Sequence, residues 1–157
     1  MTARRGHYDD DTAFTLADDG ATVARIVRTV PAERLRDERF DQWTGLEVIG
    51  HVADMADIFA ERVRRIATEE RPRLASVDQD AIHAERHNNN GEAMTFAKRI
   101  QASHAEIVRL LADASTRERI GVHDELGEVD GAFVGAYHAE HAHGHVGDLA
   151  SRFPPTR

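Results

Sequence analysis

His138, His141 and His145, in the stretch H-A-E-H-A-H-G-H-V-G-D-L, are the residues of this chain whose type and spacing best suit joint chemistry. Residues three, four and seven apart on a helix share a face, so the three imidazoles fall within an arc of roughly 60° at about 100° per residue. Imidazole is the commonest metal-ligating side chain, and an i, i+4 pair can reach one ion. The spacing therefore predicts a metal site built on His141 and His145, with His138 either supporting it or facing solvent. His143 points to the opposite side and is expected to be only exposed.

A three-coordinate protein site usually draws a ligand from a second helix. His51, in L-E-V-I-G-H-V-A-D-M, sits at the rim of an apolar face on the side that also carries Glu47 and Asp54. His104 is the rival, lying between Ile100 and Ile107 within another apolar stripe. A single histidine on such a stripe is more often a hydrogen-bonded core residue, the reading adopted for His104 and His83. Asp78-Gln79-Asp80 reads as a solvated loop and His87-Asn88-Asn89-Asn90 as a turn and cap.

Four helices must position these residues, and little else looks like strand. The first spans about residues 20 to 30, with Asp18 and Asp19 as capping candidates and Pro31 as its stop, although its pattern could begin near Phe14. The second opens on the capping box Thr44-Gly45-Leu46-Glu47 and carries an apolar face from Leu46 through Ile49, Val52, Phe59 and Val63 to Ile66. The third follows Asn90-Gly91, with Phe96, Ile100, Ile107 and Leu111 as its stripe. The fourth follows Asp130-Gly131 and runs to Arg152, before Pro154-Pro155. Such a set predicts an all-α four-helix bundle. The stretch of over 20 residues between the second and third helices is long for a bundle and predicts a crossover that is also a functional loop. Between the third and fourth, Gly121 and Gly127 suggest a turn or a short extended piece.

The composition narrows the partners. At 157 residues the chain suits one domain covering residues 1 to 157, and a formal charge of −8 argues against a basic face for nucleic acid or anionic membrane. No segment approaches the roughly 18 apolar residues of a membrane span, and the expected location is cytoplasmic. Zero cysteines rule out disulfides, thiolate ligands and a catalytic thiol, so any thiol chemistry needs a thiol from outside.

Taken together, the residues resemble the DinB/YfiT-like superfamily. The similarity is carried by Trp43-Thr44 through Glu47-Val48 to His51-Val52 and Asp54, then by His141 through His145-Val146. Val77-Asp78-Gln79-Asp80-Ala81 is similar to the family's acidic segment after the second helix, and Gly121-Val122-His123 with Leu126-Gly127 to its connection before the fourth. The resemblance covers about residues 14 to 153. Two positions depart from it: Gly50 stands directly before His51 inside a helix, and Gly144 stands where a histidine often precedes the last ligand.

The resemblance implies a four-helix bundle holding a divalent metal, commonly zinc or nickel, on three histidines that map to His51, His141 and His145. Its branches include mycothiol and bacillithiol S-transferases, a mycothiol-dependent maleylpyruvate isomerase and hydrolases, so fold and site transfer better than reaction. The expected activity is transfer of a low-molecular-weight thiol to an electrophilic small molecule, with metal-dependent hydrolysis or a non-catalytic metal-stabilised binding module as alternatives. Arg62, Arg64 or Arg65 would hold cofactor carboxylates, and Asp148 would orient His145. The expected partner is a small-molecule substrate, and the fold is compatible with a homodimer.

Overall fold

Helix starts in this chain are set by side chains that satisfy the first free amides. In the computed structural model, which describes residues 2–155, Thr44 accepts from the Glu47 amide (3.2 Å) while the Glu47 carboxylate accepts from the Thr44 amide (2.9 Å). That box opens α3, Gly45–Thr68. Asp130 likewise caps α7, Gly131–Arg152, through the Phe133 amide at 2.7 Å. The third long helix, α5, spans Ala93–Leu111.

The first helix corrects the expected boundary. α1 runs Asp10–Thr29, because Asp9 and Thr12 form a capping box and Asp10 and Asp11 favour the positive end of the helix dipole. Asp18 and Asp19 therefore lie inside the helix and cap nothing. Short elements fill the connections: α2 (Ala32–Asp37), β1 (Arg39–Phe40), β2 (Trp43–Thr44), β3 (Arg73–Leu74), α4 (Gln79–Arg86), a 3-10 turn at Asn88–Asn90, α6 (Ala114–Glu118), β4 (Ile120–His123) and β5 (Gly127–Asp130). Asp78-Gln79-Asp80 is thus no loop: Asp78 caps α4 by accepting from the Ala81 amide. β3 pairs parallel with β4, which pairs antiparallel with β5, a small sheet that the helical periodicity of the sequence did not suggest.

Core membership fixes the topology. One apolar cluster gathers Val23 and Ile26 from α1, Leu46 and Ile49 from α3, Phe96 and Ile100 from α5, and Val146 and Leu149 from α7. The other gathers Leu16, Phe59, Val63, Ile66, Ile107, Leu111 and Ala132. α3 and α5 both run from the first cluster to the second, whereas α1 and α7 run back. α3 packs between α5 and α7, and α1 completes the ring between the same two. Neighbouring α3 and α5 are therefore parallel, and the chain must return the length of the bundle between them. This is the physical reason for the long crossover.

Gly50 shows how tightly the crossover is seated. A Cβ there would lie 2.5 Å from Asn88 Cγ and 2.6 Å from Asn88 Cβ. The buried Asn88 also donates to Asp54 at 3.0 Å, so it has no free direction in which to move. Among the described residues no helix is long and apolar enough to cross a membrane.

Between the two clusters lie buried polar groups. His104 Nδ1 lies 2.8 Å from the Leu16 carbonyl, and its Nε2 lies 2.9 Å from His138 Nε2. A carbonyl only accepts, so His104 carries its proton on Nδ1 and accepts from His138 Nε2–H. Both pKa values are pushed down by burial, that of His138 well below the ordinary 6.5 with added repulsion from His104.

Two outcomes follow from this packing. Gly50→Ala, which stabilises an ordinary helix, should here cost about 1–3 kcal/mol in urea unfolding; an unchanged or raised midpoint would contradict the close seating of Asn88. The buried histidines bind protons only once unfolded, so the unfolded state gains more protons below about pH 6.5. Stability of metal-free protein should be level above that pH and fall between about 6.5 and 5; a flat urea midpoint across that window would contradict the neutral pair.

Candidate metal centre

α3 and α7 are antiparallel neighbours, and the face each turns to the other carries histidine. His51 lies early on α3, buried to 2% exposure, while His141 and His145 lie one turn apart on α7 and are half buried. One ligand-capable atom from each lies within 4.8 Å of the others. The ring centroids are 5.3 Å (His51 to His141), 5.0 Å (His51 to His145) and 4.8 Å (His141 to His145), with interplanar angles of 81° to 88°. The three rings are thus close and nearly perpendicular to one another, without stacking face to face.

The electrostatics favour neutral, lone-pair-bearing nitrogens. Burial, then the neighbouring His145 and His141, lower the His51 pKa to about 3. Burial also lowers His141, with repulsion from His145, and lowers His145 against the opposing pull of Asp148. Among the described residues no hydrogen bond to an acceptor offsets the shift in any of the three. Uncharged imidazoles of this kind suit a divalent ion, with Asp148 the carboxylate that acts on His145. Asp54 is near but engaged: Arg99 donates to it at 2.8 Å and Asn88 at 3.0 Å.

The other sequence candidates separate. His104 is a hydrogen-bonded core residue, as its position in the stripe implied, and stands apart from the three. His138 is fully buried rather than solvent-facing, stacked on Phe59 at 5.2 Å, with its Nδ1 buried and unpartnered among the described residues. His143 does point away, but it is not merely exposed: with 63% of its side chain in solvent it still pairs with the buried Asp19 of α1 at 3.0 Å. His83 corrects the core reading. It stacks on Trp43 at 4.1 Å and approaches Glu47 at 3.3 Å, and Trp43 in turn meets the His51 ring edge-on at 4.8 Å. Of the three arginines, Arg64 binds Glu106 and Arg65 binds Glu69, leaving Arg62 against the Ala75 carbonyl.

Trp43, quoted in the sequence only as part of the family resemblance, His83, read there as a core residue, and Tyr137 form surroundings to which sequence reasoning gave no role at the site. Their available signals were the tryptophan directly before the capping threonine and a tyrosine one turn before His141. An open pocket on the face of α7 is lined by His141 and His145 with Tyr137, Glu140, Gly144 and Asp148; His51 is not part of its lining. A Cβ at Gly144 would meet nothing within 4 Å, so glycine there leaves space beside His145.

Comparison with known proteins agrees with this architecture. YfiT from Bacillus subtilis, described as a probable metal-dependent hydrolase with an unusual four-helix bundle topology, superposes with a TM-score of 0.76 at 20% identity, covering 99% of this chain and 95% of that one. The mycothiol-dependent maleylpyruvate isomerase superposes with a TM-score of 0.68 at 14% identity, covering 89% of this chain and 60% of that one. At such identities the similarity carries the fold alone. No curated protein sequence matches the chain. The model of the DinB superfamily matches residues 15–149, from α1 almost to the end of α7, and the chain belongs to that superfamily.

Proposed function

We propose that His51, His141 and His145 hold one divalent ion, zinc or nickel, and that the centre serves transfer of a low-molecular-weight thiol of the mycothiol type to an electrophilic small molecule. The observation that carries the reading is a donor set of three imidazoles, with ligand atoms within 4.8 Å of one another, beside an open pocket. When bound, such an ion with an open position draws the pKa of a thiol or water into the neutral range. The three donors come from one chain, so a homodimer is not needed to complete the site.

The chain's own residues divide the remaining work. Trp43 meets the His51 ring edge-on and is itself covered by the stacked His83, so this side of the buried His51 is closed by aromatic rings. Gly144 leaves room for the acceptor, and Glu140 and Asp148 are the pocket carboxylates that could receive the proton a thiol would release on binding, before its sulfur attacks the electrophile. The chain has no cysteine, so the sulfur must arrive with a small molecule. The isomerase neighbour is itself mycothiol-dependent. Hydrolysis is the second reading, favoured by the closer superposition on YfiT and by the same carboxylates, which would serve a water equally well.

Purified protein should take up about one divalent ion per chain by elemental analysis. His51→Ala, His141→Ala and His145→Ala should each weaken uptake by more than about 100-fold, while His143→Ala retains it. Equal retention in all four would remove the site. Loaded with zinc or nickel, the protein should conjugate mycothiol to a bimane faster than the His145→Ala or metal-free protein. Release of acid from ester substrates without conjugation would establish the hydrolase, and inactivity in both assays the binding module.

A further inference from the structure

Three arginines near the end of α3 meet different fates. Arg64 forks onto Glu106 at 3.0 and 2.7 Å, and Arg65 donates to Glu69 at 3.0 Å. Arg62 is half buried, lies over the Phe59 ring at 4.9 Å and donates one bond to the Ala75 carbonyl at 2.6 Å. Among the described residues no carboxylate is paired with it. A guanidinium has five N–H donors, so most of its capacity remains available.

Across the same cavity stands His123. Its Nδ1 accepts from the backbone amides of Glu125 (3.1 Å) and Leu126 (3.2 Å). A nitrogen that accepts carries the lone pair, so the proton is on Nε2, which is a donor. Burial and the Arg62 charge hold the ring below its usual pKa, and therefore neutral. The nearby Asp124 is turned away, bound by Arg73 at 3.0 Å and facing the Ser76 amide at 3.4 Å. Glu125, the lining carboxylate, is exposed.

The cavity holds about 220 Å³, and its walls are otherwise mostly apolar, with Phe59, Leu74, Phe133 and Val134 among them. Tyr137 lines both this cavity and the pocket at His141 and His145. One wall thus joins a cation and a fixed N–H donor in an apolar chamber to the candidate metal centre.

We propose that this cavity binds the carboxylate end of an apolar small molecule, with Arg62 and the His123 Nε2–H as its donors and Tyr137 directing the rest toward the histidine centre. The inference deepens the reading above by naming the substrate class, and it rests on that reading only for the direction of the bound molecule. Carboxylate recognition itself requires no metal. A charged carboxylate suits this chamber because the half-buried guanidinium lies over the Phe59 ring and has no carboxylate paired with it among the described residues.

Metal-free protein titrated with phenylacetate and with the neutral phenylacetamide, followed by NMR shifts, tests the proposal. Phenylacetate should bind at least about tenfold more tightly than the amide, and Arg62→Gln should erase that difference. Arg62→Lys should retain part of it, and His123→Phe should weaken phenylacetate several-fold. Circular dichroism would verify that each variant is folded, and the acid-to-amide ratio in the native chain stands even if a variant is not. Equal affinity for acid and amide, or an unchanged phenylacetate affinity in folded Arg62→Gln, would overturn the subsite. Metal uptake is measured separately: charge-selective binding without metal uptake upholds the subsite and defeats the metal reading, whereas uptake without charge selectivity defeats the subsite alone.

Discussion

Burial of uncharged imidazole between two apolar clusters is the constraint around which this bundle is arranged. Asp19 from α1, His51 and Asp54 from α3, His104 from α5 and His138 from α7 are all buried polar groups in helices whose ends are apolar. A buried polar group is costly unless it has a partner, and a buried charge more so. The chain answers in distinct ways. His138 and His104 form a relay ending on the Leu16 carbonyl, Asp54 is bound by Arg99 and Asn88, and Asp19 meets His143. His51 alone is turned toward two further imidazoles, an arrangement that would be repulsive if protonated and that suits a shared cation when neutral.

The parallel packing of α3 against α5 then gives the crossover its role. A chain returning along the bundle has surface to cover, and this one covers the N-terminal half of α3. Asn88 lies against Gly50 where any side chain would collide, and the same asparagine binds Asp54. Asn89 accepts from the Thr44 hydroxyl at 2.7 Å, tying the 3-10 turn to the cap of the helix that carries His51. α4 brings His83 onto Trp43. The glycine before His51 costs helix propensity in isolation, and here it admits the segment that shields the site.

Much of this was legible in the sequence because it depends on local rules. The Thr44 capping box, the apolar stripes, the Asp130 cap and the i, i+4 histidines each follow from side-chain chemistry within one helix. Ring by ring, His51, His141 and His145 were brought together by that reasoning and the family resemblance, and the structure places them side by side. What escaped depends on contacts distant in the chain. Asp19 looked like a cap because its partner His143 is in the last helix. His83 looked like a core residue because its neighbour Trp43 is fixed by a turn at the start of α3. β3 consists of two residues whose pairing with β4 lies far ahead in the chain, beyond the reach of periodicity.

That small sheet links the two long connections of the bundle. β3 ends the segment leaving α3, β4 opens the hairpin leading to α7, and their pairing sets Leu74 opposite His123. The hairpin amides of Glu125 and Leu126 then fix the His123 tautomer. The helices thus supply the imidazole donors, whereas the connections shape much of the neighbouring chamber, which shares Tyr137 with the pocket at His141 and His145. Helix packing tolerates little change without altering the core, but connections vary at small cost to stability. In such an arrangement the connections can be remodelled while the helix packing is kept, so the bundle by itself does not set a reaction. In the proposed subsite, Arg62 and His123 belong to the end of α3 and the hairpin, and not to the helix faces that carry the three histidines.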